Sequence, residues 1–192
     1  MEDFAKSLTV ALGARDNNTR LHSDRVVRLA TELGRRINLS EREIDVLSIG
    51  AQFHDIGKIG IPDHILGKPA AFEETEWEVM RRHPLIGEQI LLATGGPRSP
   101  EIAQIVRHHH ENFNGSGYPD GLSNTDIPLC SRIISLADNY DAMAVARPYH
   151  KARGHQEVID ILVSEVGIKH DPDLLHAFCA LIEKSEMRAS QD

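Results

Sequence analysis

Residues 108–122 read HHHENFNGSGYPDGL, which is three consecutive histidines, an acid and a glycine-rich loop around a Tyr-Pro pair. Just before this stretch, Ile102, Ile105 and Val106 recur at helical spacing and predict a helix that ends at the histidines. The loop is predicted to run to about Pro128, where a further helical pattern follows. Three adjacent histidines in mid-chain are unsuited to a hydrophobic core, which indicates that they bind a ligand.

Apolar residues at helical spacing recur along most of the chain. The predicted helices run from about Val26 to Ile37, from Ser40 to near Gly57, through Trp77 and Leu91 to Gly95-Gly96, from Ser99-Pro100 to the histidines, from Ile133 to Met143, from about Gln156 to Val166, and from Asp171-Pro172 onward. Ser40 with Glu43 has the pattern of a capping box. Few segments alternate as strands do, so we predict an all-α protein, a single compact helical bundle. We divide it into an N-terminal arm or linker helix (1–18), one domain (19–184) and a frayed tail (185–192).

The bulk composition excludes several classes of protein. Of the 192 residues, 41% are apolar, which is enough for one domain with a core. A net charge of −8 argues against binding to DNA, RNA or an anionic membrane, so a phosphate ligand would need a local site, such as bound cations. The two cysteines, Cys130 and Cys179, argue against a disulfide scaffold and a thiolate zinc site, and suit a reducing cytoplasm. The start MEDFAKSLTV lacks the features of a signal peptide, and no apolar run approaches a membrane span.

Histidine and acidic residues recur on the predicted helices, mostly at their ends. The set comprises His22, His54, Asp55, His83, His109, His110, Asp138 and Asp141. Asp138 and Asp141 are three positions apart and share one helix face. Nitrogen and oxygen ligands without thiolates suit divalent ions such as iron, manganese, nickel or zinc. Adjacent ligands such as His54 and Asp55 suit a two-metal site, because neighbouring side chains diverge and a carboxylate can bridge two ions. Such a pair of ions is the usual clamp for displacement at phosphorus.

A simpler interpretation applies to any histidine taken singly, since a helical histidine is more often a surface or hydrogen-bonded residue than a ligand. We apply it to His64, His150, His155, His170 and His176. His108 is expected to be the member of the triple that binds no metal and is simply solvated. For Asp141, a role in the metal site and a role as a hydrogen-bond acceptor on the helix face stay equally open.

Four motifs resemble, in this order, the HD-GYP subfamily of the HD phosphohydrolases. They are HDIGKIGIPD from His54, HHENFNGSGYPDGL from His109, IPLCSRIISLADNYDAM from Ile127 and RPY from Arg147. The resemblance extends from about Thr19 to Leu181, nearly the whole chain. A His-Asp pair alone is a weak motif, whereas its combination with Gly-Tyr-Pro at this spacing is highly specific.

The resemblance implies a bacterial phosphodiesterase that hydrolyses cyclic di-GMP to linear pGpG or on to GMP, at a metal centre that commonly holds iron or manganese. The implied metal ligands are His22, His54, Asp55, His83, His109, His110 and Asp138. Asp55 would bridge the ions and Lys58 would lie near the phosphate, so these two are the implied catalytic residues. The implied substrate contacts are Arg147 at a phosphate and Gly117, Tyr118 and Pro119 in the pocket wall.

The chain departs from the subfamily in two places. Some members carry a glutamate, four residues before the first histidine, that helps to bind a third metal. Here this residue is Asn18, a poor ligand, so we expect two divalent ions, iron or manganese ahead of nickel or zinc. Members often have Thr-Ser-Asp before Arg-Pro-Tyr and a basic residue after it, where this chain has Ala144-Val145-Ala146 and His150. Lys151 can partly substitute as a substrate contact. These departures concern substrate binding and the second hydrolysis step, from pGpG to GMP.

Two alternatives stay open beside the cyclic di-GMP phosphodiesterase. One is an HD hydrolase of another cyclic nucleotide, including cyclic GMP-AMP. The other is a weakly active or inactive module that binds cyclic di-GMP or a protein partner. The resemblance implies a diguanylate cyclase domain, or an upstream receiver or sensor domain, as protein partners. The apolar repeat of Phe4, Leu8 and Leu12 suits packing on the bundle or a homodimer.

Overall fold

The computed structural model describes residues 17–145 and 152–189, and side chains from residue 20 onward. The α-helices are α1 (Asn17–Arg36), α2 (Glu41–Phe53), α3 (Asp63–Leu66), α4 (Glu74–Met80), α5 (His83–Ala93), α6 (Ser99–Arg107), α7 (Leu129–Ala144), α8 (His155–Ser164) and α9 (Pro172–Ile182). Short 3-10 helices span Ile56–Gly60 and Asn124–Asp126. Within the described ranges no strand forms, apart from one isolated bridge between Val166 and His170. The all-α prediction is confirmed.

One hydrophobic core joins most of these helices. Helix α1 packs against α2, α7 and α9, and each helix turns its apolar stripe inward. Leu29, Leu47, Ile134 and Phe178 represent these four helices in the core and are almost completely buried. The ring of Tyr140 on α7 packs edge-on against Phe178, with a centroid separation of 5.2 Å. The helices therefore pack into a compact bundle, as predicted.

The single helix predicted through Trp77 and Leu91 is wrong, because the structure has two helices there, α4 and α5. In a continuous helix the carbonyl of Met80 would accept from the N–H of residue 84, but Pro84 has none. The Met80 carbonyl instead accepts from the side chain of His83, at 2.8 Å. His83 therefore stands at the start of α5 and not in mid-helix.

Two predicted helix starts are confirmed and one is wrong. Ser40 and Glu43 form the capping box at the start of α2, each side chain accepting from the other's backbone N–H. Asp171 caps α9 through its side chain. Ser99, by contrast, is the first residue of α6 and not its cap, and its hydroxyl accepts from the N–H of Gly96 at 3.0 Å.

The 3-10 helix that follows α2 lies directly against the start of α5. A Cβ on Gly57 would lie 1.9 Å from the carbonyl oxygen of His83 and 2.6 Å from the nitrogen of Gly87. Only glycine allows backbones to approach so closely. This contact places Asp55 and Lys58, on either side of Gly57, next to His83.

The described part of the C-terminal tail packs on the bundle. The N–H of Ala189 donates to the hydroxyl of Tyr140 at 2.8 Å, and the hydroxyl of Ser185 donates to Glu32 at 2.9 Å. Residues 185–189 thus contact the bundle, while the predicted domain boundaries, including that of the tail, stay predictions. In the described chain, no helix combines the length and apolarity needed to cross a bilayer.

Candidate metal centre

Three histidines lie just past the last turn of a helix and are held in the same way. In each, Nδ1–H donates to the backbone carbonyl three residues earlier, which the ending helix leaves free. The pairs are His54 with Ala51 (2.7 Å), His83 with Met80 (2.8 Å) and His109 with Val106 (2.6 Å). Since a carbonyl only accepts, Nδ1 carries a proton, and in a neutral ring the lone pair then lies on Nε2. The helix ends thus orient three rings so that each Nε2 atom could bind a metal ion.

The structure brings all the predicted ligands together, in two adjacent groups. The four-ligand group is Asp55, His83, His109 and His110, and the three-ligand group is His22, His54 and Asp138. Within each group the ligand atoms lie within 4.8 Å of one another, and every residue is buried or half-buried. The groups are in contact, since the ring centroids of His54 and His109 are 5.3 Å apart.

Asp55 lies between the two groups. Its Oδ1 is 3.4 Å from Nε2 of His83, and its Oδ2 is 3.5 Å from Nε2 of His54. Oδ2 also accepts from Nζ of Lys58 at 2.6 Å. Burial acts to raise the pKa of Asp55, but Lys58 and the nearby imidazoles hold it well below its usual value, so the carboxylate is ionised. One oxygen faces each group, as a bridging ligand requires.

Several nitrogen atoms of this site have no good hydrogen-bond partner in the part of the chain that the structure describes, and a divalent cation could bind them. The unprotonated Nε2 atoms of His83 and His109 lie 3.3 Å apart, and the buried Nε2 of His54 has no hydrogen-bond partner. Buried polar atoms left unpaired destabilise a fold, and a shared cation would satisfy them. Burial lowers the pKa of His83 to about 3 and that of His110 to about 4, so both rings are neutral and able to bind metal near pH 7. The cluster can therefore hold metal ions.

His22 is oriented by a carboxylate and not by a helix end. Its Nδ1 donates to Asp141 at 2.6 Å, and its Nε2 faces Asp138 at 2.9 Å. Arg25 donates two hydrogen bonds to Asp141, of 2.6 and 3.0 Å. A carboxylate behind a ligating histidine fixes the ring and raises its basicity. Burial lowers the pKa of His22, but the hydrogen bonds with Asp138 and Asp141 outweigh it and raise the pKa to about 9. Of the two interpretations of Asp141, the geometry favours the hydrogen-bond acceptor.

Comparison with known proteins identifies the family. The family model described as the HD domain matches residues 6–174. The chain belongs to the HD-domain family. This HD domain is 38% identical to the cyclic di-GMP phosphodiesterase of Thermotoga maritima over 167 residues, which are 87% of the chain and 45% of that protein. It is 32% identical to the 3′3′-cGAMP-specific phosphodiesterase 2 of Vibrio cholerae over 174 residues, which are 91% of the chain and 33% of that protein.

A solved structure supports the fold of this HD domain. The cyclic GMP-AMP specific phosphodiesterase of V. cholerae superposes with a TM-score of 0.72 at 20% identity, covering 96% of this chain and 49% of that one. At this identity the similarity concerns the fold alone. The chain spans less than half the length of the curated relatives described above.

The Gly-Tyr-Pro loop lies against the four-ligand group. Tyr118 stacks on His110, with ring centroids 4.9 Å apart and planes inclined by 27°. Pro119 follows through a cis peptide bond and is half-buried. A Cβ on Gly117 would lie 2.2 Å from the nitrogen of Asn112 and 2.6 Å from the carbonyl oxygen of His110. The space that a side chain at Gly117 would need is therefore taken by the chain's own backbone.

The exit of the loop is tied to the stretch that carries the ligand histidines, through four residues that we call the loop clamp: Arg107, His108, Glu111 and Asp120. Asp120 accepts from His108 at 2.8 Å and from Arg107 at 2.7 and 2.8 Å. The buried Glu111 accepts from the N–H groups of Asp120 and Gly121, at 2.7 and 3.1 Å. The expectation that His108 is solvated is wrong, because it is buried against a partner 12 residues further along the chain. Within residues 107–111, the adjacent pair His109 and His110 thus belongs to the four-ligand group, and the residues on either side of the pair hold the loop.

Sequence reasoning missed the residues that hold the ligands and the loop in place. For Arg25, the available signal was its spacing of three from His22, which puts both on one helix face. For Glu111 and Asp120, it was their position next to the histidine triple and the Gly-Tyr-Pro. Their hydrogen bonds join positions far apart in sequence, so spacing alone names no partner for them.

Four histidines given the simpler interpretation lie outside the two groups, and that interpretation stays a prediction. His64 and His176 are exposed, His155 is paired with Glu183 at 2.9 Å, and His170 is buried 3.5 Å from Glu165. Several other predictions concern residues that the structure does not describe. These residues are Phe4, Leu8, Leu12, Arg147, His150 and Lys151, together with the side chain of Asn18. Just before the gap, α7 ends at Ala144, and Val145 is extended.

Proposed function

We propose that this HD domain is a metal-dependent phosphodiesterase that hydrolyses cyclic di-GMP to pGpG, or on to GMP. One observation carries the proposal: two adjacent groups of histidine and carboxylate ligands meet at Asp55, with one carboxylate oxygen facing each group. Two ions held side by side suit displacement at phosphorus. The relative in T. maritima, a cyclic di-GMP phosphodiesterase, supports the same substrate class.

The proposed cofactor is a pair of divalent ions, iron or manganese ahead of nickel or zinc, since the donors are nitrogen and oxygen. The residues proposed to hold them are His22, His54, Asp55, His83, His109, His110 and Asp138. Bound ions would supply a water of lowered pKa and would neutralise charge on the phosphate oxygens. Asp55 would bridge the two ions, and the orienting hydrogen bonds of the histidines keep the donor atoms in place.

Lys58 contributes a fixed positive charge at the edge of the cluster. Its Nζ lies 2.6 Å from Asp55, and its side chain is 26% exposed, so it can reach a substrate oxygen. A cation in this position stabilises charge that develops in the transition state. It can also donate to the leaving 3′-oxygen. Gly117, Tyr118 and Pro119 form the pocket wall in this proposal. Arg147 and Lys151 stay proposed contacts to a substrate phosphate.

The test combines metal content and product formation in one preparation. The protein is purified without oxygen, its metals are counted, and cyclic di-GMP is followed by chromatography with added iron or manganese. We expect two ions per chain and pGpG formation, and a loss of both in Asp55→Ala, because this carboxylate faces both groups. Asp45→Ala, which removes an exposed carboxylate from α2, is the control. Wild-type turnover in metal-free Asp55→Ala would end the proposal.

A second candidate substrate is cyclic GMP-AMP, because one relative is specific for 3′3′-cGAMP. The ratio of kcat/KM for the two dinucleotides decides between them. The departure at Ala144 to Ala146 favours the other alternative, a weakly active or inactive binding module. Two bound ions without turnover of any cyclic dinucleotide would support it.

Four statements from the sequence stay predictions. They are a diguanylate cyclase domain as a partner, an upstream receiver or sensor domain, a homodimer, and a cytoplasmic location. Size-exclusion chromatography coupled to light scattering tests the homodimer directly.

A further inference from the structure

Arg81 lies between two aromatic rings beside the metal centre. Its guanidinium carbon is 5.8 Å from the ring centroid of Trp77 and 5.9 Å from that of Tyr118. Tyr118 stacks in turn on His110, a member of the four-ligand group. Two contacts therefore link Arg81 to His110, on the side of the four-ligand group where the Gly-Tyr-Pro loop lies.

The end of α4 fixes the backbone of Arg81, and the two ring contacts orient its guanidinium before any ligand arrives. The N–H of Arg81 donates to the carbonyl of Trp77 at 2.8 Å, where α4 ends. Phe72 packs edge-on against Trp77, with a centroid separation of 5.1 Å. Trp77 is thus fixed although it is 40% exposed. A planar guanidinium seated on rings is pre-organised, so less entropy is lost when it binds a ligand.

The outer edge of this guanidinium is only weakly engaged. One of its nitrogens lies 3.4 Å from a carboxylate oxygen of Glu74, and the two side chains are 47% and 75% exposed. An ion pair at such exposed positions contributes little, so a ligand with better geometry can replace Glu74.

We propose that Arg81, seated on Trp77 and Tyr118, recognises a guanine base of the substrate. This assignment rests on the function proposed above. Guanine presents two adjacent acceptors, O6 and N7, which a guanidinium binds with two parallel N–H groups. Adenine presents an amino group beside N7 and would leave one of these N–H groups unpaired. One ribose separates a base from its phosphate, so a base at Arg81 suits a phosphate at the metal centre.

The test measures selectivity between cyclic di-GMP and cyclic di-AMP. In Arg81→Ala and in Arg81→Lys, we expect the guanine-over-adenine ratio of kcat/KM to fall roughly 5- to 150-fold. Lysine keeps the charge but lacks the two parallel donors. Where cyclic di-AMP turns over too slowly, its inhibition constant against cyclic di-GMP replaces its kcat/KM. Arg82→Ala, which removes the neighbouring exposed arginine, is the matched control and should keep the wild-type ratio. Metal content verifies that each variant is folded at the site.

Two results would overturn the assignment. An equal loss on both dinucleotides in Arg81→Ala would show that Arg81 binds phosphate or ribose. Unchanged kcat/KM for both dinucleotides in both variants would show that the base lies elsewhere. A wild-type protein that cleaves bis(p-nitrophenyl) phosphate but neither dinucleotide would instead contradict the proposed function. In that case calorimetric binding of the two dinucleotides to the wild type and Arg81→Ala still decides the role of Arg81.

Discussion

Replacing Asp141 by asparagine tests whether the carboxylate behind His22 holds this ligand in place. Asp141 is 1% exposed and accepts from His22 at 2.6 Å and from Arg25 at 2.6 and 3.0 Å. Asparagine keeps the shape but loses the charge, and its amino group cannot accept a hydrogen bond. Losing such an orienting partner typically lowers metal affinity about 10- to 100-fold, or roughly 1.4–2.7 kcal/mol. The loss should fall on the three-ligand group, to which His22 belongs.

Calorimetric titration of the metal-free protein with manganese measures this effect. We expect two binding steps in the wild type. In Asp141→Asn we expect the same two steps, one of them with lower affinity. Turnover should be restored when the manganese concentration is raised by the factor by which the affinity fell. Asp24→Asn changes an exposed carboxylate on the same helix and should behave as the wild type. Two steps of wild-type affinity in Asp141→Asn would refute the reasoning, because the carboxylate would then not act on the metal site.

Two further predictions concern proton release and the loop clamp. The pKa of about 9 means that His22 is protonated in the metal-free protein near pH 7, so an incoming metal must displace this proton. Affinity should therefore rise about tenfold per pH unit from pH 7 until the pKa is passed, and calorimetry in buffers of different ionisation enthalpy should detect about one released proton. By linkage, the metal-free protein should also lose stability, seen as a lower Tm, as pH rises from 6.5 to about 9. No proton release at pH 7 would contradict both statements. Asp120→Asn removes the charge that holds Arg107 and His108. We expect about 1 kcal/mol of loop stability to be lost and kcat/KM for cyclic di-GMP to fall roughly fivefold, with metal content unchanged. Loss of metal in this variant would show that the clamp supports the ligands and not the loop.

Helical periodicity was enough to predict most elements, because the 3.6-residue repeat is a local property of the chain. The caps at Ser40 and Asp171 were readable for the same reason. The break between α4 and α5 was missed although Pro84 signals it, since proline is common in the first turn of a helix and can mark a new start. In the structure, the ring of His83 donates to the Met80 carbonyl in place of the N–H that Pro84 lacks.

The ligands could be predicted as a set but not as two groups. His54 and Asp55 are neighbours in sequence, yet His54 belongs to the three-ligand group and Asp55 to the four-ligand group. Adjacent side chains at a helix end diverge, and only the arrangement of the surrounding helices decides which ion each can reach. The burial of His108 was missed for a related reason, since its partner Asp120 lies across the loop.

The sequence by itself determined most of the helices and the residue types of the candidate metal site. Helical periodicity and capping depend on residues a few positions apart, as in the capping box of Ser40 and Glu43. Only the tertiary structure decided that His22 meets Asp141, 119 residues away, and that Arg81 meets the ring of Tyr118. Contacts over such separations exist only because the helices bury their apolar faces in one core, and this burial carries the polar side chains at their ends to a common place.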